Sequence, residues 1–261
     1  MTELRVTLVQ QPLAWGEPSA NRARFAALLG PLAGSTDLVV LPETFTTGFS
    51  MEVERLAEPD GGPTAAWLGD LAQELDAAIT GSVITAEGGR YYNRLLWAEP
   101  GGAPLKTYDK RHLFRMAREH QHFTPGVCAW TVAWRGVRIC PQVCYDLRFP
   151  VFSRRRAGLD YELLIYVANW PAPRALAWRT LLKARAIENQ AYVVGVNRVG
   201  PDGNGIAYAG ESAAIDYLGS ALAELGAEPA LVTVAVDAGR LHAFREKFPA
   251  HLDADRFTLE P

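Results

Sequence analysis

Two short runs in which nearly every residue is apolar, 37–41 (DLVVL) and 163–167 (LLIYV), constrain the fold more than any other feature of this chain. A strand with one solvated face alternates apolar and polar residues; a run without alternation is covered on both faces. Each run therefore needs a layer above it and a layer below.

The neighbouring segments supply those layers. Residues 4–10 (LRVTLVQ) read as a first strand. Residues 19–29 carry helical periodicity, with Phe25, Leu28 and Leu29 on one side; Gly30-Pro31 stops that helix or kinks it on towards Gly34. A helix over 64–78 leads into a strand at 78–85, which a Gly88-Gly89 turn joins to a strand at 91–97. A strand at 105–108 precedes a polar, irregular loop over 111–125. A hairpin pairs 131–134 with 137–143 around Arg135-Gly136. Pro141 has no N–H for a ladder, so a bulge or a sheet edge is expected there. Helices are expected over 149–157 and 176–189, and strands at 191–197 and 230–236. A glycine-rich turn region at 202–210 precedes 212–217, and a polar tail runs from Asp237. Strands and helices alternate through all 261 residues without a linker or a shift in composition. The expectation is a single α/β domain over 1–261 with mixed sheets and helices covering them.

A net charge of −3 leaves no basic excess to neutralise phosphates, so no nucleic-acid partner is expected. The one basic cluster, Arg154-Arg155-Arg156, reads as a solvated helix face or a subunit contact. No apolar run approaches the roughly 20 residues that span a bilayer, so no membrane is expected either. Residues 1–5 pass straight into a strand-like segment, and three cysteines, Cys128, Cys140 and Cys144, make an odd number. Both features favour a reducing, cytoplasmic setting without a disulfide framework. His120, His122 and Cys128 fit no standard metal-ligand spacing.

Three polar residues end strand-like runs: Glu43 after DLVVLP, Lys110 after LKTYD and Cys144 after RICPQV. In α/β layers, sites gather where strands end. Singly, each has a plain alternative: a helix-start carboxylate, a surface cation, a small core filler. Together they make a complete nucleophilic mechanism. A carboxylate can take the thiol proton and return it to a leaving amine. An ammonium beside the thiol favours thiolate and then faces the developing oxyanion. The N–H of Tyr145, in the turn after Cys144, is a candidate second oxyanion donor. Neither His nor Asp is needed, and no G-x-S-x-G elbow is present.

The segments PETF at 42–45, YDKRHLF at 108–114 and VCYDLRFP at 143–150 resemble the nitrilase superfamily of carbon–nitrogen hydrolases, and the resemblance runs from residue 5 to about 236. It implies a four-layer α-β-β-α sandwich whose helix faces form a homodimer. It also implies Glu43 as general base, Lys110 as oxyanion-stabilising lysine and Cys144 as nucleophile, with a thioester formed as ammonia leaves. Glu119, ahead of FTPG at 123–126, would orient Lys110 or steer the attacking water. Residues 143–150, ANWP at 168–171 and 182–199 (LKARAIENQAYVVGVNRV) most resemble the omega-amidase branch. That branch acts on short dicarboxylic acid monoamides such as 2-oxoglutaramate and 2-oxosuccinamate, with no metal or organic cofactor. Arg148, Arg115 and Arg118 are the candidates for the substrate carboxylate, since a planar guanidinium binds carboxylate in two places. Trp170 and Phe114 are candidate apolar walls, and Asn169 a substrate contact or backbone cap. Other readings stay open at this point: a nitrile, a carbamoyl amine or another amide as substrate; a silent binding scaffold; a thiol redox sensor pairing Cys144 with Cys140.

Overall fold

The computed structural model describes residues 3–259. In its first sheet β1 (Glu3–Gln10) lies between β15 (Ala230–Asp237), antiparallel, and β2 (Leu38–Val40), parallel. The sheet continues through β4 (Ala78–Glu87), β5 (Arg90–Ala98) and β6 (Lys106–Asp109), with the two-residue β3 (Glu58–Pro59) pairing β4. The second sheet runs in the order β14 (Ala221–Glu224), β13 (Ala213–Ile215), β10 (Tyr192–Asn197), β9 (Leu163–Ala168), β8 (Val137–Val143) and β7 (Val132–Trp134). A separate hairpin joins β11 (Val199–Pro201) to β12 (Ala207–Ala209).

The two apolar runs sit where their composition demands. Val39 and Leu41 face α1 (Pro18–Leu29) and α3 (Pro63–Leu75), packing with Phe25, Leu29, Leu68 and Leu71. Leu38 and Val40 face the other way, into a core shared with Ile139, Ile165 and Val193 of the second sheet. Both faces of β2 are thus covered, so neither tolerates a polar side chain. On the far side of the second sheet, Trp178 and Leu182 of α6 (Ala175–Asn189) join the same core. Gly195 of β10 permits that approach, because a Cβ there would lie 2.7 Å from Leu182 and 2.8 Å from Trp178. The layers are helix, sheet, sheet, helix, as the resemblance implied.

At Pro141 the expected sheet edge is found and not the bulge, while three other local expectations are corrected. β8 passes through Pro141 in regular register with β9, without a bulge; β7 stops opposite Ile139, so the strand is an edge beyond that point. The helix expected over 149–157 is only α5 (Pro150–Ser153). Arg154–Arg156 turn back onto the protein instead of forming a solvated face. Arg154 pairs with Glu188, Arg155 with Asp160, and Arg156 donates to the carbonyls of Phe152 and Arg154. The loop over 111–125 is not structureless: it holds a tight turn at Arg115–Ala117 and α4 (Glu119–His122). The polar tail begins as α7 (Ala238–Lys247), capped by the Asp237 carboxylate on Arg240 N. It is anchored by buried Leu241 and by Arg245, which donates to the carbonyls of Tyr161 and Gln190. Few apolar anchors suffice when a buried arginine satisfies backbone acceptors, which is why the segment looks polar in sequence. A further short helix, α2 (Val53–Leu56), follows the segment that carries Glu43.

Candidate active site

β2, β6, β8 and β9 run towards a common rim and deliver Glu43, Lys110, Cys144 and Asn169 there. Past β2 the chain turns at Thr44, a left-handed residue (φ 41°) whose N–H donates to Ser82 Oγ at 2.8 Å. Past β6, the Gly126 N–H donates to the Lys110 carbonyl at 3.0 Å. A Cβ on Gly126 would lie 2.0 Å from the Asp109 carbonyl oxygen, so only glycine lets 123–126 lie against the base of Lys110.

Cys144 also has left-handed backbone (φ 43°) and opens a tight helical turn over Cys144–Arg148. A non-glycine residue holds such a conformation only where its surroundings over-determine it. Buried Asp146 does so here. Its Oδ2 accepts from Val143 N at 3.0 Å and from Tyr108 Oη at 2.6 Å, while Oδ1 accepts from His112 N at 3.0 Å. His112 Nδ1 lies 2.7 Å from the same Oδ1. Tyr108 and His112 flank Lys110, so one carboxylate ties the turn carrying the thiol to the segment carrying the ammonium.

The charged groups form a buried cluster. Lys110 Nζ donates to Glu43 Oε1 at 2.8 Å and contacts both oxygens of Glu119, at 3.0 and 2.9 Å. The three side chains are at most 1% exposed. Burying such charges is costly unless every lone pair finds a donor, and the neighbours supply them. Asn93 Nδ2 bridges Glu43 Oε1 (2.8 Å) and Glu119 Oε1 (3.2 Å). Asn169 N donates to Glu43 Oε2 at 2.7 Å, and Phe114 N to Glu119 Oε2 at 2.6 Å. Asn169 Nδ2 adds bonds to the Glu43 carbonyl (2.7 Å) and Thr44 Oγ1 (3.0 Å), so this residue serves Glu43 from both its main and side chains.

These contacts decide the protonation states. Burial works against the Lys110 ammonium, but the charges of Glu119 and Glu43 outweigh it and raise its pKa. Burial pushes Glu119 above the usual carboxylate range, and Glu43 adds to this against the opposing pull of Lys110. For Cys144, burial comes first and the Glu43 charge second; both push the thiol up, and Lys110 does not compensate. The expectation that the lysine and the turn N–H groups would favour thiolate is therefore corrected: the resting group is a thiol. Cys140 is a core residue whose thiol burial pushes up to about 12, so it offers no reactive partner for a redox pair.

A small cavity opens onto Cys144, walled by Phe114, Tyr145 and Trp170, with Asn169 and Arg148 also on its lining. The Cys144 thiol lies 3.8 Å from the Asn169 carbonyl oxygen. Arg148 stacks 4.9 Å over the Trp170 ring. Arg115 and Arg118 do not line this cavity and are exposed. Arg118 has left-handed backbone (φ 59°), and the reversal there turns Glu119 inward while leaving both arginines on the solvent side. Arg174 occupies the lining instead. Sequence reasoning missed Arg174, Asn93 and Asp146. Asn93 did carry a signal, an amide inside the strand-like run YYNRLLW, where asparagine is unfavourable without a partner.

Sequence comparison bears directly on this geometry. The carbon–nitrogen hydrolase family profile matches residues 5–246. The chain belongs to the carbon–nitrogen hydrolases. Among members of that family it is 50% identical over 262 residues to Omega-amidase YafV of Escherichia coli (strain K12), covering 99% of this chain and 100% of that one. It is 33% identical to the 2-oxoglutaramate amidase of Bacillus subtilis (strain 168), over 95% and 96% of the two chains. The structure of XC1258 from Xanthomonas campestris, a CN-hydrolase superfamily protein with an arsenic adduct in the active site, superposes with a TM-score of 0.97. That pair is 52% identical over the whole of both chains. The nitrilase-like sandwich expected for this hydrolase is the fold observed.

Proposed function

We infer that this carbon–nitrogen hydrolase is an omega-amidase, cleaving the terminal amide of short dicarboxylic acid monoamides such as 2-oxoglutaramate and 2-oxosuccinamate to acid and ammonia. The observation that carries the reading is one small cavity holding a thiol, a buried carboxylate–ammonium cluster and, on its wall, two guanidinium groups that meet no carboxylate among the described residues. The identity with curated omega-amidase relatives over full length supports it.

Because Cys144 rests as a thiol, its proton must leave as the carbon–sulfur bond forms. Glu43 takes that proton while Sγ attacks the amide carbon. The negative charge that gathers on the amide oxygen meets the Lys110 ammonium and the Tyr145 N–H, one of the first-turn donors that a helical turn leaves unpaired. Glu43 then returns the proton to the amide nitrogen, the carbon–nitrogen bond breaks and ammonia leaves a thioester on Cys144. Water attacks the thioester and gives its proton to Glu43. The carbon–sulfur bond breaks, and the sulfur regains its proton. Glu119 holds Lys110 in place throughout, and Asn169 and Asn93 hold the Glu43 carboxylate. The aromatic rings of Phe114 and Trp170 exclude water and flank a short carbon chain.

The reading includes a cytoplasmic homodimer. Among the described residues no helix is long and apolar enough to cross a membrane, and exposed Ile187, Phe248 and Leu252 offer apolar surface to a second copy.

A substrate panel tests the reading: ammonia release from 2-oxoglutaramate, succinamate, a simple nitrile and a carbamoyl amine. The monoamides are expected to be the fastest substrates. Turnover of only the nitrile or the carbamoyl amine would overturn the omega-amidase reading while keeping the hydrolase chemistry.

A further inference from the structure

The catalytic cluster sets two carboxylates, Glu43 and Glu119, against one ammonium. The Lys110 ammonium is thus already engaged by two carboxylates, so holding an anionic substrate calls for cations elsewhere on the lining. The lining holds two further cations, Arg148 and Arg174.

Both contrast with those arginines of this chain that carboxylates hold in place. Arg94, Arg138 and Arg155 each meet at least one carboxylate. Among the described residues, Arg148 and Arg174 pair with none. Arg174 Nη1 lies 3.8 Å from the Met116 sulfur, a weak acceptor. Each guanidinium lies on an aromatic face instead, Arg148 at 4.9 Å from the Trp170 centroid and Arg174 at 5.2 Å from that of Phe114. Stacking of this kind restrains a guanidinium while leaving its edge N–H donors unused. The two stacks are joined, since Trp170 Nε1 donates to the Arg174 carbonyl at 2.8 Å. Arg174 itself ends the tight turn Ala172–Arg174, directly after Pro171.

We propose that Arg174 is a specificity-determining residue, acting with Arg148 as a two-guanidinium clamp for the free carboxylate of the substrate. Both half-buried arginines sit towards solvent from the buried cluster, so the substrate enters amide first, with its carboxylate held behind. This proposal rests on the omega-amidase reading and extends it: selection for an anionic tail comes from two preorganised forks rather than from a single arginine. Charge-assisted bidentate bonds are the strong class of hydrogen bond, so their loss is legible in binding.

Steady-state kinetics on glutaramate and on uncharged valeramide, a similar chain without the carboxylate, test the clamp. Arg174→Met keeps an apolar contact over Phe114 and removes the charge. It is expected to raise KM for glutaramate about 10- to 100-fold, with kcat near that of the parent and valeramide turnover unchanged. Arg148→Met should behave alike, and Arg174→Lys should recover part of the loss, because an ammonium keeps the charge without the fork. Calorimetric binding of glutaramate to Cys144→Ala protein, with and without Arg174→Met, reads the same weakening where turnover of the neutral amide is too slow to follow. An unchanged KM and affinity for glutaramate would overturn the clamp. So would equal losses on both amides, which would mark Arg174 as a prop for Phe114 and, through its N–H, for Glu119. Failure of the parent enzyme to prefer glutaramate over valeramide would instead overturn the omega-amidase reading on which the clamp rests.

Discussion

Cys144 shows how far a residue's chemistry depends on what surrounds it. Seen only as the last residue of a strand before a turn, it belongs beside helical N–H groups that lower a thiol pKa. Packed in place it is buried and faces the Glu43 carboxylate, and these push the thiol above its ordinary value of 9.0 despite Lys110. The expected result of an ultraviolet thiolate titration, parent minus Cys144→Ala, is therefore no Cys144 thiolate below pH 9. A thiolate already formed at neutral pH would contradict the concerted proton transfer to Glu43. Glu43, Lys110 and Cys144 could be singled out in the sequence because each ends a strand-like run, a local property. Asn93 and Arg174 were not, because their roles come from partners in other elements: Asn93 reaches 50 residues back to Glu43 and 26 forward to Glu119.

Among the elements, the short segments between strands fix the site more than the strands do. The segment 123–126 looks like plain loop, yet its glycine bears directly on the peptide that ends β6. Gly126→Ala drives a methyl into the Asp109 carbonyl and must displace Lys110. The expected outcome is a fall in kcat of about 10²-fold, the scale set by a catalytic group moved by about 1 Å. It should be accompanied by about 1–3 kcal/mol of lost stability in denaturant unfolding. Unchanged kcat would show that Lys110 does not depend on this contact. Strand positions were readable from apolar runs and helix positions from periodicity, including β1, β9 and α6 to within two residues. The helix expected over 149–157 failed because its arginines find better partners off the helix, on Glu188 and Asp160. α7 escaped notice because its anchors are one leucine and one arginine rather than an apolar stripe.

At the level of the whole molecule, two sheets and their helices hold a cluster of buried charge that no single element could stabilise. Its pH behaviour follows. Glu119 is raised above the ordinary carboxylate value of 4.5, so its neutral form persists to higher pH than in water. As pH falls through that raised value the Glu119 carboxylate gains a proton and loses its hold on Lys110. The acid limb of kcat/KM is thus expected above pH 4.5, and a limb at or below 4.5 would contradict the burial argument. The central claim, that Cys144 carries the acyl group, is tested most directly by ammonia release from 2-oxoglutaramate with the parent and the Cys144→Ala protein side by side. Alanine fits the space of the thiol, so the fold should persist. The account predicts release by the parent and a loss of about 10³-fold or more in the variant. Turnover retained by folded Cys144→Ala would remove the nucleophile, and with it the thioester mechanism.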